Sequence, residues 1–413
     1  MTQDDSRGEV TYAARRPVTS LYFHVPFCHG TCGYCDFFSV PCPDVELVSA
    51  WHEGVLSELG RIEGEASSHH VPLGPLETIY WGGGTPSYLD PDIISSILGR
   101  ARSLFGFAPA CDITLEANPE SIVPASPAGS GNASGEAVLR WRESGVNRVS
   151  FGVQSATDAL LRIAGRRHSA AQAVQAVCLA HEGGIRDISV DLMTGLPTQT
   201  MEDIEKALEL VKQLPINHVS TYALSIAKGT PFYTRWRANP EQFPGDEAER
   251  QMNSRLTDGL RDLSFDHYEI SNFARGGAVS EHNLVYWHAD PYIAAGPAAA
   301  SYTAGVRRCN PASIGSWLAN VRDPAQGPFG EAIIEETVDE PSARVETMIL
   351  GLRLMEGVSR ERFCRRHGVD YDAIFGGELA RLEGAGLIER HPDRVRLSGK
   401  GLDFADVAAR EFL

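Results

Sequence analysis

Along the chain, short runs of β-branched and aromatic residues alternate with stretches whose apolar positions recur at helical spacing. This is the pattern of repeated strand–helix units that assemble a parallel sheet. The strand-like runs are Ser20 to Val25, Glu77 to Trp81, Ile113 to Ala117, Arg148 to Val153, Ile188 to Met193 and His218 to Leu224. After the fifth, Thr200 to Leu214 reads as a helix. Thr200 can cap its first turn, and Ile204, Ala207, Leu208 and Val211 share one face. Six such units are too few for a closed eight-stranded barrel and enough for an open one. The fold expected over residues 19–270 is therefore α/β, a partial (βα)6 barrel.

The remaining segments read differently. Residues 1–18 have the character of a mobile tail. Residues 124–137, PASPAGSGNASGEA, are rich in Gly, Ser, Pro and Ala and read as a flexible insertion before a short helix around Leu139 to Glu143. Residues 271–340 show little periodicity and are expected to cover one end of the barrel or to link it onward. From Pro341 the pattern changes to compact helices, a hairpin within Gly386 to Leu397 turning at His391 to Asp393, and a last helix. That order, over residues 341–413, predicts a winged-helix-like α+β domain.

Composition narrows the function classes. The chain has 413 residues, 43% hydrophobic and 22% charged, and a formal net charge of −17. So acidic a balance argues against a nucleic-acid partner, since phosphate neutralisation needs a basic surface. The winged-helix pattern accordingly predicts protein contact or packing rather than DNA reading. No stretch approaches the roughly 20 apolar residues of a membrane span, and the first residues lack the apolar core of a secretory signal. A cytoplasmic protein without a transmembrane segment is expected.

The densest chemistry lies in Phe27-Cys-His-Gly-Thr-Cys-Gly-Tyr-Cys-Asp-Phe37. Cys28, Cys32 and Cys35 can hold three irons of a four-iron cubane and leave the fourth without a protein ligand. Such a site serves a small molecule bound at the metal, whereas four thiolates make an electron carrier. The alternative is zinc, with His29 or Cys42 as the fourth ligand. A disulfide is disfavoured, because eight mostly isolated cysteines suit a reduced compartment.

Other unusual residues sit at the predicted strand ends, where such a barrel builds its active site. The cysteine run follows the first strand, and Gly82-Gly83-Gly84-Thr85-Pro86 follows the second. Glu116 ends the third, Gln154 ends the fourth, and Asp191 falls late in the fifth. Glycines permit close backbone approach to a ligand. Glu116, Gln154 and Asp191 suit ribose hydroxyls and an amino group, and Arg166 suits a carboxylate.

With GGGTP, EANPE, FGVQS, GRRH and DLMTGLP, the run from Tyr22 through Cys28, Cys32, Tyr34 and Cys35 resembles the radical S-adenosylmethionine (SAM) superfamily. Within it the chain is similar to the family of oxygen-independent coproporphyrinogen III oxidases and their relatives, the HemW-type heme chaperones. The resemblance extends from Ser20 to the C-terminus. It implies a 4Fe-4S cluster on Cys28, Cys32 and Cys35, flanked by Tyr22 and Tyr34, with SAM chelating the open iron. Gly83, Gly84 and Thr85 are then expected along the methionine part of SAM, and Glu116, Gln154, Arg166 and Asp191 against this or a second SAM.

Asp36 and Phe37 follow Cys35 where the oxidase pattern continues to a further cysteine, and the N-terminal segment is shorter than in oxidases. Both differences resemble the chaperone branch. So does Glu281-His282-Asn283-Leu-Val-Tyr286-Trp287, which is similar to a His-Asn-x-x-Tyr-Trp motif associated with heme there. His282 offers an imidazole for heme iron, and Tyr286 and Trp287 offer flat area for a porphyrin. Ala300 stands where many of these relatives have histidine. The resemblance implies a chaperone that carries heme to an acceptor protein, such as a respiratory enzyme. The enzymatic alternative is oxidative decarboxylation of coproporphyrinogen III.

Overall fold

The computed structural model describes residues 16–123 and 135–413. The predicted tail and insertion therefore lie outside the described residues except at their ends; residues 135–137 open a helix. All six predicted parallel strands are present: β1 (Val18–Val25), β2 (Leu73–Gly83), β3 (Phe107–Ala117), β4 (Arg148–Gln154), β5 (Asp187–Thr194) and β6 (His218–Ala223). Each pairs in parallel with the next. Helices α1 (Val45–Ala66), α2 (Pro91–Phe105), α3 (Gly135–Ser144), α4 (Ala170–Glu182) and α5 (Met201–Gln213) make the crossovers. Helix α5 forms where its periodicity predicts, starting on a Thr200–Asp203 capping box and burying Ile204, Ala207, Leu208 and Val211.

The sheet is longer than the sequence suggests. A hairpin, β7 (Asp266–Glu269) and β8 (Asn272–Ala274), continues it antiparallel beyond β6. At the other edge β9 (Ile293–Ala295) lies parallel to β1. The result is nine strands in the order β9-β1-β2-β3-β4-β5-β6-β8-β7. The segment expected to cover one end of the barrel or to link it onward also supplies two strands of the sheet, and residue 270 falls within the last hairpin.

Strand alternation divides the barrel into two environments. On β2, Ile79 and Trp81 are fully buried in the apolar core between sheet and helices. Thr78, Tyr80 and Gly82 are on the opposite face, toward the interior. That interior is plugged from the strand N-termini by a short helix, α6 (Glu281–Trp287). Arg148, at the start of β4, holds the approach to it by donating to the carbonyls of Ala278 and Val279.

The C-terminal region has its own core around Met348, Phe363, Leu379 and Val395. Helices α7 (Glu340–Gly351), α8 (Arg360–His367) and α9 (Tyr371–Gly384) pack with β10 (Val358–Ser359), β11 (Ile388–Arg390) and β12 (Arg394–Leu397). The hairpin closes through His391 N to Arg394 O at 2.8 Å, within the turn the sequence predicts. Asp290, just past α6, joins this region to the barrel by accepting from Arg362 (2.9 Å), Arg366 (3.1 Å) and Arg16.

Candidate cofactor site

The cysteine loop leaves β1 and is fixed at both ends. Val40 N donates to Pro26 O at 2.6 Å and Cys42 N to Cys28 O at 2.9 Å, closing it. His24 Nε2 hydrogen-bonds with Phe38 O at 3.1 Å. Cys28, Cys32 and Cys35 line one cavity of about 410 Å³, within the usual range for a small-molecule site. Tyr34, Gly83, Gly84, Thr85, Glu116, Gln154, Arg166 and Asp191 line it too. The structure thus gathers nearly all of the residues that sequence reading placed on the rim. Tyr22 stands behind the wall, its ring stacked against Tyr80 at 6.3 Å.

Two glycines are required by space. At Gly83, which has φ +101°, a Cβ would meet the His24 ring at 2.6 Å. At Gly84 it would lie 2.8 Å from the carbonyls of Val25 and Phe27 and 3.0 Å from Cys28 Sγ. The backbone therefore lies directly against the thiol. Thr85 donates to Cys28 Sγ at 3.4 Å, and Arg166 Nη1 donates to Cys32 Sγ at 3.4 Å.

The thiols and polar groups fit a bound cluster with a small polar ligand. Burial pushes the Cys28 and Cys35 thiols up, and a metal ion would take the place of their protons. Gln154 Oε1 and Arg166 Nε are buried without a hydrogen-bond partner, and such groups call for one. Gln154 also adopts a left-handed backbone with φ +68°, a conformation that costs energy for any residue but glycine. Of the fourth ligands considered for zinc, neither His29 nor Cys42 lines the cavity. The His29 ring packs on Tyr88 at 4.7 Å, and the Cys42 thiol donates to His29 O at 3.2 Å.

Two carboxyls face the cavity with altered acidity. Burial pushes Glu116 up to about 7 against an opposing hydrogen bond from Tyr80, whose hydroxyl donates to Oε1 at 2.7 Å. Burial likewise pushes Asp191 up to about 6, opposed by hydroxyls that include Ser150, at 3.1 Å. Both gain or lose a proton near neutrality.

Sequence reading missed two residues that hold this set together. Asn118 donates to Thr85 Oγ1 at 3.1 Å and accepts from Arg166 Nη2, linking the glycine turn to the arginine. It lies inside the quoted EANPE run, which was the available signal. Tyr80 grips Glu116, and the inward alternation of Thr78, Tyr80 and Gly82 was its signal.

The residues nominated for heme are elsewhere. His282, Asn283, Tyr286 and Trp287 fall on α6 or at its end and do not line the cavity. The imidazole of His282 is enclosed and both its nitrogens are engaged. The ring is 0% exposed, Nδ1 hydrogen-bonds with Thr78 Oγ1 at 2.8 Å, and Nε2 with Tyr286 OH at 2.9 Å. Tyr286 packs edge-on against Tyr292, and the Arg353 guanidinium lies over the Trp287 ring at 4.3 Å; both aromatic residues are partly buried. Asn283 contributes its backbone N–H to the Ser280 cap of α6. Ala300 pairs with Cys309 in a small separate sheet.

A partial parallel barrel with this three-cysteine rim defines the class. Residues 22–211 match the family model of the Radical SAM superfamily, and residues 338–404 match the HemN C-terminal domain. The fold is also that of coproporphyrinogen III oxidase (HemN) from Escherichia coli. The TM-score is 0.79 at 19% identity, over 97% of this chain and 92% of that one. In sequence the chain is 31% identical to the heme chaperone HemW of Lactococcus lactis, over 95% of this chain and 97% of the relative. It is 32% identical to the heme chaperone HemW of Bacillus subtilis, over 92% and 96%. The chain belongs to the HemW family of the radical SAM superfamily.

Proposed function

We propose that this protein is a heme chaperone that binds a 4Fe-4S cluster, SAM and heme and passes heme to an acceptor protein, such as a respiratory enzyme. Similarity to relatives named heme chaperones over nearly the whole chain carries this reading. The cysteine loop supports it: where oxidases continue to another cysteine, Phe37 lines the cavity and is 66% exposed. Cys28, Cys32 and Cys35 would hold the cluster. Glu116, Gln154, Arg166 and Asp191, with the backbone of Gly83 and Gly84 and the Thr85 side chain, would hold SAM. When bound, the cluster supplies an electron and an open iron to that ligand. For His282 to reach a heme iron, Tyr286 must first release Nε2.

The C-terminal region supports a role in protein contact rather than DNA binding. Several of its arginines are engaged by its own carboxylates, Arg360 with Asp370 and Asp372, Arg390 with Asp372, and Arg396 with Glu389. Among the described residues no helix is long and apolar enough to cross a membrane.

The test is a heme titration of anaerobically reconstituted protein, followed by transfer to an apo-acceptor and, in parallel, a coproporphyrinogen turnover assay. Heme uptake and release without turnover is the expected result. Vinyl-porphyrinogen formation together with deoxyadenosine would overturn the chaperone reading in favour of the oxidase.

A further inference from the structure

His282 is the most deeply buried polar residue of a motif that the cofactor cavity does not include, yet it lies one ring away from that cavity. Thr78 and Tyr80 are two residues apart on β2 and so share its inner face. From α6, one imidazole meets both. It hydrogen-bonds with Thr78 at 2.8 Å and stacks on the Tyr80 ring at 5.3 Å with 27° between planes. On its other side Nε2 is tied to Tyr286 OH at 2.9 Å. Tyr80 also stacks with Tyr22, its partner on β1, at 6.3 Å, and its hydroxyl donates to Glu116 at 2.7 Å.

We infer that His282 is a positioning residue for the SAM pocket, fixing the Tyr80 ring so that its hydroxyl holds the Glu116 carboxyl in place. The inference rests on Glu116 contacting SAM and is independent of whether heme binds. A ring stacked on one imidazole, flanked by a second aromatic ring and bonded at its tip has few alternatives, so Glu116 is presented in one orientation before ligand arrives. The imidazole is suited to this task because it is neutral: burial pushes it down to about 3. A neutral ring needs no counter-ion beneath the pocket.

The test uses cluster-reconstituted, full-length protein and measures SAM affinity by equilibrium binding across pH. The groups facing Glu116 are Tyr22, Tyr80, Asp191, Tyr222 and Tyr286. Tyr80→Phe should weaken SAM binding about tenfold, the worth of one hydrogen bond to a charged group. His282→Ala should weaken it by a similar factor. The double variant should be no weaker than Tyr80→Phe alone, because the two act as one unit.

The pH dependence separates positioning from general loosening. Tyr80's hydroxyl favours ionised Glu116, so losing or misplacing it moves the midpoint of SAM binding to higher pH in both single variants. Should His282→Ala not retain its cluster, Thr78→Val removes the anchor at Nδ1 instead and carries the same expectations. SAM affinity within twofold of the parent would overturn the inference. So would additive losses with an unmoved midpoint. Loss of heme binding with intact SAM binding overturns it too, and leaves the chaperone reading standing.

Discussion

At the scale of single residues, the chemistry depends on groups whose partners come from distant parts of the chain. Cys32 accepts from Arg166, 134 positions on, and it also gives the simplest test of the proposed cluster, since two remaining thiolates would not hold three irons. Cys32→Ala should lose the iron and acid-labile sulfide of reconstituted protein, and full retention would refute the ligand assignment. Glu58 is a less obvious case. Wholly buried on α1, it accepts from Gly296 N at 2.8 Å, Asn310 Nδ2 at 2.7 Å and Trp317 Nε1 at 3.0 Å. Burial pushes it from the ordinary 4.5 up to about 7. Its contribution to stability is therefore complete below about pH 4.5 and is lost as pH rises through about 7. Relative to Glu58→Gln, the parent should lose about 3 kcal/mol of unfolding free energy across that window. Urea unfolding of both proteins at about pH 4.5 and 7.5 checks this; a pH-independent difference would show ordinary acidity. The rim residues were legible in the sequence because each sits in a motif at a strand end. The occupied state of His282 was not, because Thr78 is 204 positions away in the chain.

At the scale of elements, the six parallel strands could be read because each has a β-branched or aromatic run and a helical segment after it. β9 could not: Ile293, Ala294 and Ala295 make three residues without alternation, and only pairing with β1 makes them a strand. The hairpin β7–β8 is similarly short, four and three residues. The turn after β2 shows how tightly two elements approach. Gly84→Ala would drive a methyl group into two carbonyls of the chain leaving β1, and neither can retreat as a flexible side chain would. The expected outcome is a folded protein with a marked loss of bound iron. Iron analysis beside far-UV circular dichroism checks it, and unchanged iron would mean that the turn relaxes freely.

At the scale of the whole molecule, the C-terminal domain was foreseen from its order of helices and hairpin. Its attachment was not, because it runs in part through Asp290, an acidic residue in a stretch without periodicity. Removing this carboxylate leaves Arg16, Arg362 and the buried Arg366 without their shared counter-ion. Asp290→Ala should therefore separate the unfolding of the two regions. Calorimetry should show two transitions where the parent shows one, and a single unshifted transition would assign the attachment to the other contacts between the regions, among them Arg366 on the His288 and Ala289 carbonyls and the Ile270–Arg353 backbone bond.

Helix α6 belongs to both regions. Its first turn carries the imidazole beneath the Tyr80 ring, while its last residue lies under Arg353 and its exit carbonyls, at His288 and Ala289, accept from Arg366. Seven residues of helix measure only about 10 Å, so no slack separates these fastenings. A displacement of the small domain that carried Arg366 and Arg353 with it would therefore move the helix on which the Tyr80 ring rests.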